Sequence, residues 1–396
     1  MNIGLIRMKY TPYGGAEVFV SRFVGELLKR GHTCHIFANK WDIGSRLTTH
    51  DSRLIFHKIK TFGPSFLRVL SFAINIYFAV KKASLDIILS FDRTLYQDIY
   101  RAGDGCHREW LIQRSKSEVR SQKSEVRRII KKIITSLNPL HLTLLYLEKR
   151  LFKSKRLKLV IANSKRGKDE IIRHYKLPEE KICVIYNGID LKQFNLDEKG
   201  KMRAVYRERL GIKSETTLLF VGSGFERKGL RFLIEALGIL KKESRVGSAR
   251  QKIVKLVVVG KGKTEKYREI ADRCGVGTDI TFVGPVKDAQ SYYYAADIFV
   301  LPSIYEPFSN ACLEAMASGL PVITSRINGA SEILTDEKDG MIVDDPTNPK
   351  ELAFKIKPLL GEETRLAAGK MAQMAVEGYT IEKNVEKFLK LIEEIQ

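Results

Sequence analysis

The strongest constraint on this chain is a repeated alternation of short apolar runs with helix-length amphipathic stretches. Ile3–Met8 is apolar, Ala16–Arg30 has helical periodicity, and Cys34–Ala38 is apolar again, with Tyr13-Gly14-Gly15 punctuating the first junction. Strand, glycine turn, helix and strand make a βαβ unit. Asp86–Ser90, Leu159–Asn163 and Ile182–Tyr186 continue the pattern, each apolar on both faces as buried parallel strands are. A charged stretch follows Asn187-Gly188-Ile189-Asp190 and runs to about Ser214, after which the same grammar restarts. Thr217–Val221, Lys255–Gly260, Ile280–Val283, Asp297–Leu301, Pro321–Thr324 and Met341–Val343 all read as strands.

The expectation is an α/β protein of two doubly wound Rossmann-like domains facing across a cleft. The first spans 1–188, with a C-terminal helix of about 378–396 packing back on it, and the second spans 189–377. Ligands of such sheets bind at the carboxyl ends of the strands, so the cleft is the expected site.

Charge adds a second constraint. The 396 residues carry a formal net charge of +22, and its distribution is lopsided. Residues 1–187 hold 36 basic and 16 acidic side chains, against 32 and 30 in residues 188–396. The first half therefore expects an acidic partner, and nucleic acid, anionic lipid and phosphorylated glycan all qualify. The five cysteines are scattered and never form a C-x-x-C pair, which suits a reducing compartment. The start of the sequence reads as a strand and turn rather than a signal peptide. The most membrane-like stretch, Val69–Val80, is bounded by Arg68 and by Lys81-Lys82, and is too short to span a bilayer.

An internal repeat, Lys116-Ser117-Glu118-Val119-Arg120 and Lys123-Ser124-Glu125-Val126-Arg127, lies within a basic helix expected over 115–136. Its apolar stripe fits packing on its own domain. It also fits a membrane surface, with Phe66–Val80 and the cations Lys153, Lys155, Arg156 and Lys158 in support.

The most informative window runs from Leu301 to Ile323. It leaves a buried strand, passes Glu306 and Pro307, and enters a helix at about Ser309 that Gly319-Leu320-Pro321 stops. Glu306 then sits at the strand end and Glu314 roughly two turns into the helix. The N–H groups of Phe308, Ser309, Asn310 and Ala311 form an anion site at the helix terminus, beside carboxylates able to hold sugar or ribose hydroxyls. A second window, Val221-Gly222-Ser223-Gly224-Phe225-Glu226-Arg227-Lys228-Gly229, is strand, glycine loop and helix start. Its two cations, Arg227 and Lys228, can neutralise the phosphates of a departing nucleoside diphosphate.

The spacing Glu306-x7-Glu314, with Pro307-Phe308-Ser309 inside it, resembles the hallmark of retaining glycosyltransferase family 4, whose fold is GT-B. Nearly the whole chain shares the likeness, most strongly over 182–345 and most weakly over 40–160. Most of that family places an Arg after the first glycine of the second window; here Ser223 stands there, Lys228 keeps the family Lys, and Arg227 supplies a guanidinium. That departure is similar to the lipopolysaccharide core glucosyltransferase I subgroup. By the same resemblance Gly14 and Gly15 approach the donor, Asn187 belongs to an interdomain element, and Val283 and Val286 flank the base. Asp104 and His107, in Arg101-Ala102-Gly103-Asp104-Gly105-Cys106-His107, fall where acceptor and donor sugar meet. Asp104 is the candidate for binding or deprotonating the acceptor hydroxyl, with an Asx-turn as its plain structural alternative.

Neither Gly262-Lys263-Thr264 nor the Gly224–Gly229 gap completes an ATP-cradling loop, no G-x-G-x-x-G follows the first strand, and no metal-ligand spacing occurs. The expectation is hexose transfer with retention and without metal or cofactor. The resemblance implies UDP-glucose as donor substrate, a lipopolysaccharide inner-core heptose as acceptor, and an anionic inner-membrane surface as partner. The expected location is cytoplasmic, peripheral on that membrane. Another glycolipid or a small polyol is the alternative acceptor. A basic nucleic-acid-binding protein and a sugar-binding relative without activity are the competing classes; nucleic acid is not an expected partner of the enzyme, and oligomeric state is left open.

Overall fold

A computed structural model describes residues 1–10, 15–41, 51–121, 137–195, 197–246 and 254–395. The chain divides into two compact units, Met1–Asn187 with Ile381–Gln396, and Gly188–Thr380.

The first unit is built on a seven-stranded parallel sheet. Its strands are β1 (Asn2–Ile6), β3 (Thr33–Ala38), β5 (Leu54–Lys58), β6 (Ile87–Ser90), β7 (Ile99–Arg101), β8 (Leu159–Ala162) and β9 (Ile182–Val184), in the order β5-β3-β1-β6-β7-β8-β9. A two-residue parallel pairing of β2 (Lys9–Tyr10) with β4 (Lys40–Trp41) stands apart from it. β6 is buried along its whole length, as a strand covered on both faces must be. Edge strand β5 (LIFHK) is largely exposed: Ile55 and Phe56 of its short apolar run lie open to solvent.

Helix Ile381–Glu394 closes this unit. Its residues Ile381, Val385, Phe388, Leu389 and Ile392 recur at helical spacing, and all are buried in the cluster that also holds Phe19, Phe23, Ile3 and Leu5. The Phe388 ring lies 4.8 Å from Phe19 and 5.8 Å from Phe23. The Arg101 guanidinium, at the end of β7, stacks 4.3 Å above the Phe19 ring and donates to Asn187 Oδ1 at 2.8 Å. Burial lowers its pKa to about 10.

The second unit has six parallel strands: β10 (Thr216–Val221), β11 (Val254–Val259), β12 (Ile280–Gly284), β13 (Ile298–Leu301), β14 (Val322–Ser325) and β15 (Gly340–Val343). Their order, β12-β11-β10-β13-β14-β15, reverses direction between β10 and β13. A crevice opens at such a switch because the loops leaving the two strands run to opposite sides. The charged stretch after Asn187 contains a helix, Lys199–Arg209, with no buried residue. Two arginines rather than an apolar stripe hold it: Arg203 and Arg207 reach Asp297 at 2.7 and 3.3 Å and also bond carbonyls of residues 294–296.

No described helix is long and apolar enough to cross a membrane. Helix Ser65–Lys82 contains the apolar segment singled out in the sequence. Helix His107–Ser121 holds the first copy of the internal repeat; residues 122–136 of the expected basic helix lie outside the described residues.

Candidate active site

The second unit gathers most of the candidate residues at the carboxyl edge of its sheet. Gly222, leaving β10, has φ 155°, and a Cβ there would come within 2.4 Å of Lys228 Cδ, so glycine makes room for the lysine stem. Gly229 has φ 75°, and its Cβ would meet the Pro302 carbonyl oxygen at 1.9 Å. These two glycines let the loop after β10 fold onto the loop after β13. Ile304 N–H completes the junction by donating to the Arg227 carbonyl at 2.9 Å.

Glu306 is thereby brought between two cations across the strand switch. Its Oε1 lies 3.3 Å from Arg227 Nη1, and its Oε2 lies 3.1 Å from Lys228 Nζ. The Lys228 ammonium is out of line for a hydrogen bond, so the buried Oε2 has no hydrogen-bond partner among the described residues. Glu306 and Lys228 are buried and Arg227 is half-buried. A carboxylate oxygen with an unused lone pair, held between cations out of bulk water, can accept a further hydrogen bond.

The backbone around Glu306 is fixed by the loop after β14. Gly329 N–H donates to the Glu306 carbonyl at 3.0 Å, and Asn328 Oδ1 accepts from Ser309 N–H at 3.2 Å and Ala330 N–H at 3.1 Å. The Asn328 amide in turn donates to Thr324 Oγ1 at 2.9 Å. Ser309 is the N-cap of helix Asn310–Ala317, so one of the four N–H groups expected to bind an anion is already committed within the protein. This corrects the sequence expectation: the short Ser309–Asn328 distance lets a side chain do what a phosphate was assigned to do. A Schellman motif ends the helix, with Gly319 N–H on Met316 O and Leu320 N–H on Ala315 O, and Gly319 at φ 70°.

Glu314 lies a little over one turn into that helix rather than two, because the helix begins at Asn310, four residues before it. It is half-buried and accepts a 2.7 Å hydrogen bond from Tyr293 Oη. Burial raises its pKa above the ordinary carboxylate value, opposed by the Tyr293 hydroxyl and the positive charge of Lys228. Tyr293 itself is pushed well up by burial and by the adjacent negative charge. Phe308 is buried below the same loop, and Asn310 is half-buried at the first turn of the helix. Ser223 is exposed, and its Oγ accepts from Lys261 N–H at 3.3 Å. Val283 belongs to β12 and Val286 follows it, both half-buried.

The first unit carries a second charged group at its own carboxyl edge. Asp104 is exposed on the turn that Gly105 N–H closes on the Ala102 carbonyl at 3.1 Å. Its carboxylate takes no hydrogen bond among the described residues, so the Asx-turn alternative is not what the side chain does. Asp92, which the sequence reading missed, follows β6 and accepts from Met8 N–H at 2.6 Å. Burial raises its pKa; Arg7 pulls it back and the charge of Asp104 adds to the rise. The two carboxylates and Arg7 thus share one electrostatic neighbourhood.

His107 does not face that neighbourhood. It is buried, Nε2 lies 3.1 Å from His141 Nδ1, and burial, aided by the charge of Arg93, lowers its pKa to about 4. The correction has a helix-capping cause: His107 opens helix His107–Ser121, and its N–H is fixed on Glu148 Oε1 at 2.8 Å. Gly15 is the first residue of helix Gly15–Lys29, while Gly14 lies outside the described residues.

Comparison with known proteins identifies the family and the fold. Residues 13–193 match the family model described as Glycosyltransferase Family 4, and residues 202–377 match that of Glycosyl transferases group 1. The chain is 25% identical to the lipopolysaccharide glucosyltransferase WaaG of Escherichia coli K12 over 89% of this chain and 87% of that one. It is 35% identical to an uncharacterized glycosyltransferase of Methanocaldococcus jannaschii over 51% of each, so that match spans about half the relative's length. The crystal structure of WaaG superposes with a TM-score of 0.78 at 23% identity, covering 98% of this chain and 99% of that one. Anabaena HepE in complex with UDP-glucose gives 0.71 at 18% identity over the full length of both. The fold and the two family models define a GT-B glycosyltransferase. The chain belongs to glycosyltransferase family 4.

Proposed function

We propose that this enzyme transfers a hexose, glucose from UDP-glucose being the best-supported donor, to a heptose hydroxyl of a lipopolysaccharide inner core, with retention of configuration. The observation that carries the reading is Glu306, a buried carboxylate ion-paired with Arg227 and Lys228 at the strand switch, one of whose oxygens takes no hydrogen bond among the described residues. The similarity to WaaG along most of both chains supports the acceptor. The UDP-glucose complex of a protein sharing the fold supports the donor class.

In this reading the donor diphosphate draws Arg227 and Lys228 partly away from Glu306. The two cations then neutralise charge as the bond between the sugar and the phosphate breaks, the role a divalent ion takes in metal-dependent transferases. Glu306, relieved of part of its ion pairing, accepts hydroxyls of the donor sugar. Glu314, oriented by Tyr293, accepts those of the ribose. The first turn at Ser309 and Asn310 adds a positive helix end, and Val283 and Val286 flank the base. With no side-chain nucleophile assigned, the acceptor hydroxyl attacks the same face that the diphosphate leaves, and the departing phosphate receives its proton. Asp104, in the first unit, binds the acceptor hydroxyl. The enzyme works at the cytoplasmic face of the inner membrane, where a phosphorylated, lipid-borne acceptor meets the basic first half of the chain.

The test is incubation of the purified protein with UDP-, GDP- and ADP-sugars and truncated lipopolysaccharide cores, with product masses as readout. A core enlarged by one hexose only with UDP-glucose is the expected result. Hexose transfer to a polyol instead would replace the acceptor, and donor binding without UDP release would leave a sugar-binding protein.

A further inference from the structure

Away from both charged clusters, the first unit has an open groove of about 750 Å³ between helices Ser65–Lys82 and Pro139–Phe152. Ile74, Phe78, Leu95 and Tyr146 supply its apolar walls. Three of these lie open to solvent: Phe78 is 57% exposed, Tyr146 52% and Ile74 40%. Aromatic side chains left this open have burial free energy still to gain from a partner.

The rim is cationic. Lys149, Arg150 and Lys153 line one side, all exposed, and none has an acidic partner among the described residues. Lys81 and Lys82 end helix Ser65–Lys82, which contains no acidic residue at all. Lys81 sits 4.4 Å above the Tyr77 ring; Arg156, above the Tyr96 ring at 4.1 Å, is neutralised by Asp98 at 3.1 Å and adds no free charge to the rim. Helix Pro139–Phe152 has a single acid, Glu148, which is buried and turned inward onto Arg93. Among the described residues that line the groove none is acidic.

An apolar trough with an unneutralised cationic rim is complementary to a molecule that is both anionic and greasy. We infer that this groove takes an anionic phospholipid from a bilayer leaflet, the phosphate on Lys149, Arg150 and Lys153 and the upper acyl chain against Phe78 and Tyr146. Each rim cation adds attraction to an anionic surface, and aromatic rings favour the headgroup boundary. The inference gives a definite surface to the membrane partner proposed above. It does not depend on the basic segment 115–136.

Sedimentation of the full chain with vesicles tests it, using phosphatidylcholine alone and phosphatidylcholine mixed with phosphatidylglycerol. The wild type should sediment with the mixed vesicles, not with pure phosphatidylcholine, and should be released by salt. The pair Phe78→Ser with Tyr146→Ser, and separately Lys149→Ser with Lys153→Ser, should each lower the partition coefficient by on the order of tenfold. Circular dichroism and thermal midpoint are compared with wild type to confirm that each variant folds. Variants that fold and bind as wild type would place membrane contact elsewhere and overturn the inference. Equal binding to both vesicle types would remove the anionic headgroup. A lipid-free dimer lost in the aromatic pair would make a second copy of the chain the occupant. No sugar nucleotide is present, so the assay reads the groove independently of the donor assignment.

Discussion

Two glutamates, one in each unit, have similar surroundings and opposite states of saturation. Glu148 is 1% exposed and accepts from Arg93 at 3.0 Å, Tyr175 Oη at 2.5 Å, and the N–H groups of His107 and Arg108 at 2.8 and 3.3 Å. Burial alone would raise its pKa, but Arg93, Tyr175 and the His107 N–H outweigh burial and hold it below the ordinary range. Glu306 is also buried and also paired with an arginine, yet one of its oxygens has no hydrogen bond among the described residues. A buried carboxylate whose lone pairs are all used supports the fold; one left partly unused is available to a ligand.

That contrast is open to direct attack. Glu148→Ala should have the largest effect, a loss of about 3–5 kcal/mol in urea unfolding, because the Arg93 guanidinium and a helix terminus are left buried without their acceptor. An unchanged urea midpoint would show that saturation does not translate into stability. Lys228→Ala should do the reverse, lowering turnover by about 10²–10³ with stability within ~1 kcal/mol, since Arg227 remains to pair with Glu306. Steady-state kinetics beside a urea curve separates the two outcomes. Gly222→Ala should fall between them. The new Cβ displaces the Lys228 stem, so turnover should drop on the order of tenfold, while the positive φ costs about 1–2 kcal/mol.

The smallest effect concerns pH, and the two units carry its signs in opposite directions. The depressed pKa of Glu148 contributes stability that is present above the unfolded carboxylate pKa and lost as pH falls through the folded value. The raised pKa of Glu314 means that the folded protein binds a proton more readily than the unfolded chain. Its contribution therefore declines as pH rises from the unfolded value through the folded one. UDP affinity should accordingly weaken on acidification while pH is still above the usual carboxylate range. Tyr293→Phe removes a hydrogen bond that favours the ionised form and should move that limb up by about one pH unit, measurable by calorimetric titration.

How much of this was legible in the sequence depended on the distance along the chain over which each feature is encoded. Glu306, Glu314, the helix stop at Gly319, and Arg227 with Lys228 lie within two short windows, where strand, loop and helix signals adjoin. The alternation of apolar runs likewise reported the two parallel sheets, because strands buried on both faces need no partner to be recognised. The Glu148 network was not legible: its donors lie 27, 41 and 55 residues away, and no local pattern announces them. Asn328, which commits the Ser309 N–H, escaped for the same reason, as did Tyr293 as the partner of Glu314. Helix Lys199–Arg209 was hidden by its polarity, since arginines on Asp297 replace the apolar stripe by which helices are read. His107 was placed among acceptor residues on motif position alone, and a cap contact decided otherwise.

The return of helix Ile381–Glu394 to the first unit has a consequence for the order in which the molecule can be made. The Phe19–Phe23 face that Phe388 covers is synthesised early, but its cover is translated only after the whole of the second unit. The downstream lobe and the covering helix thus leave the ribosome together, and until then the upstream lobe's aromatic face stays uncovered and open to chaperones.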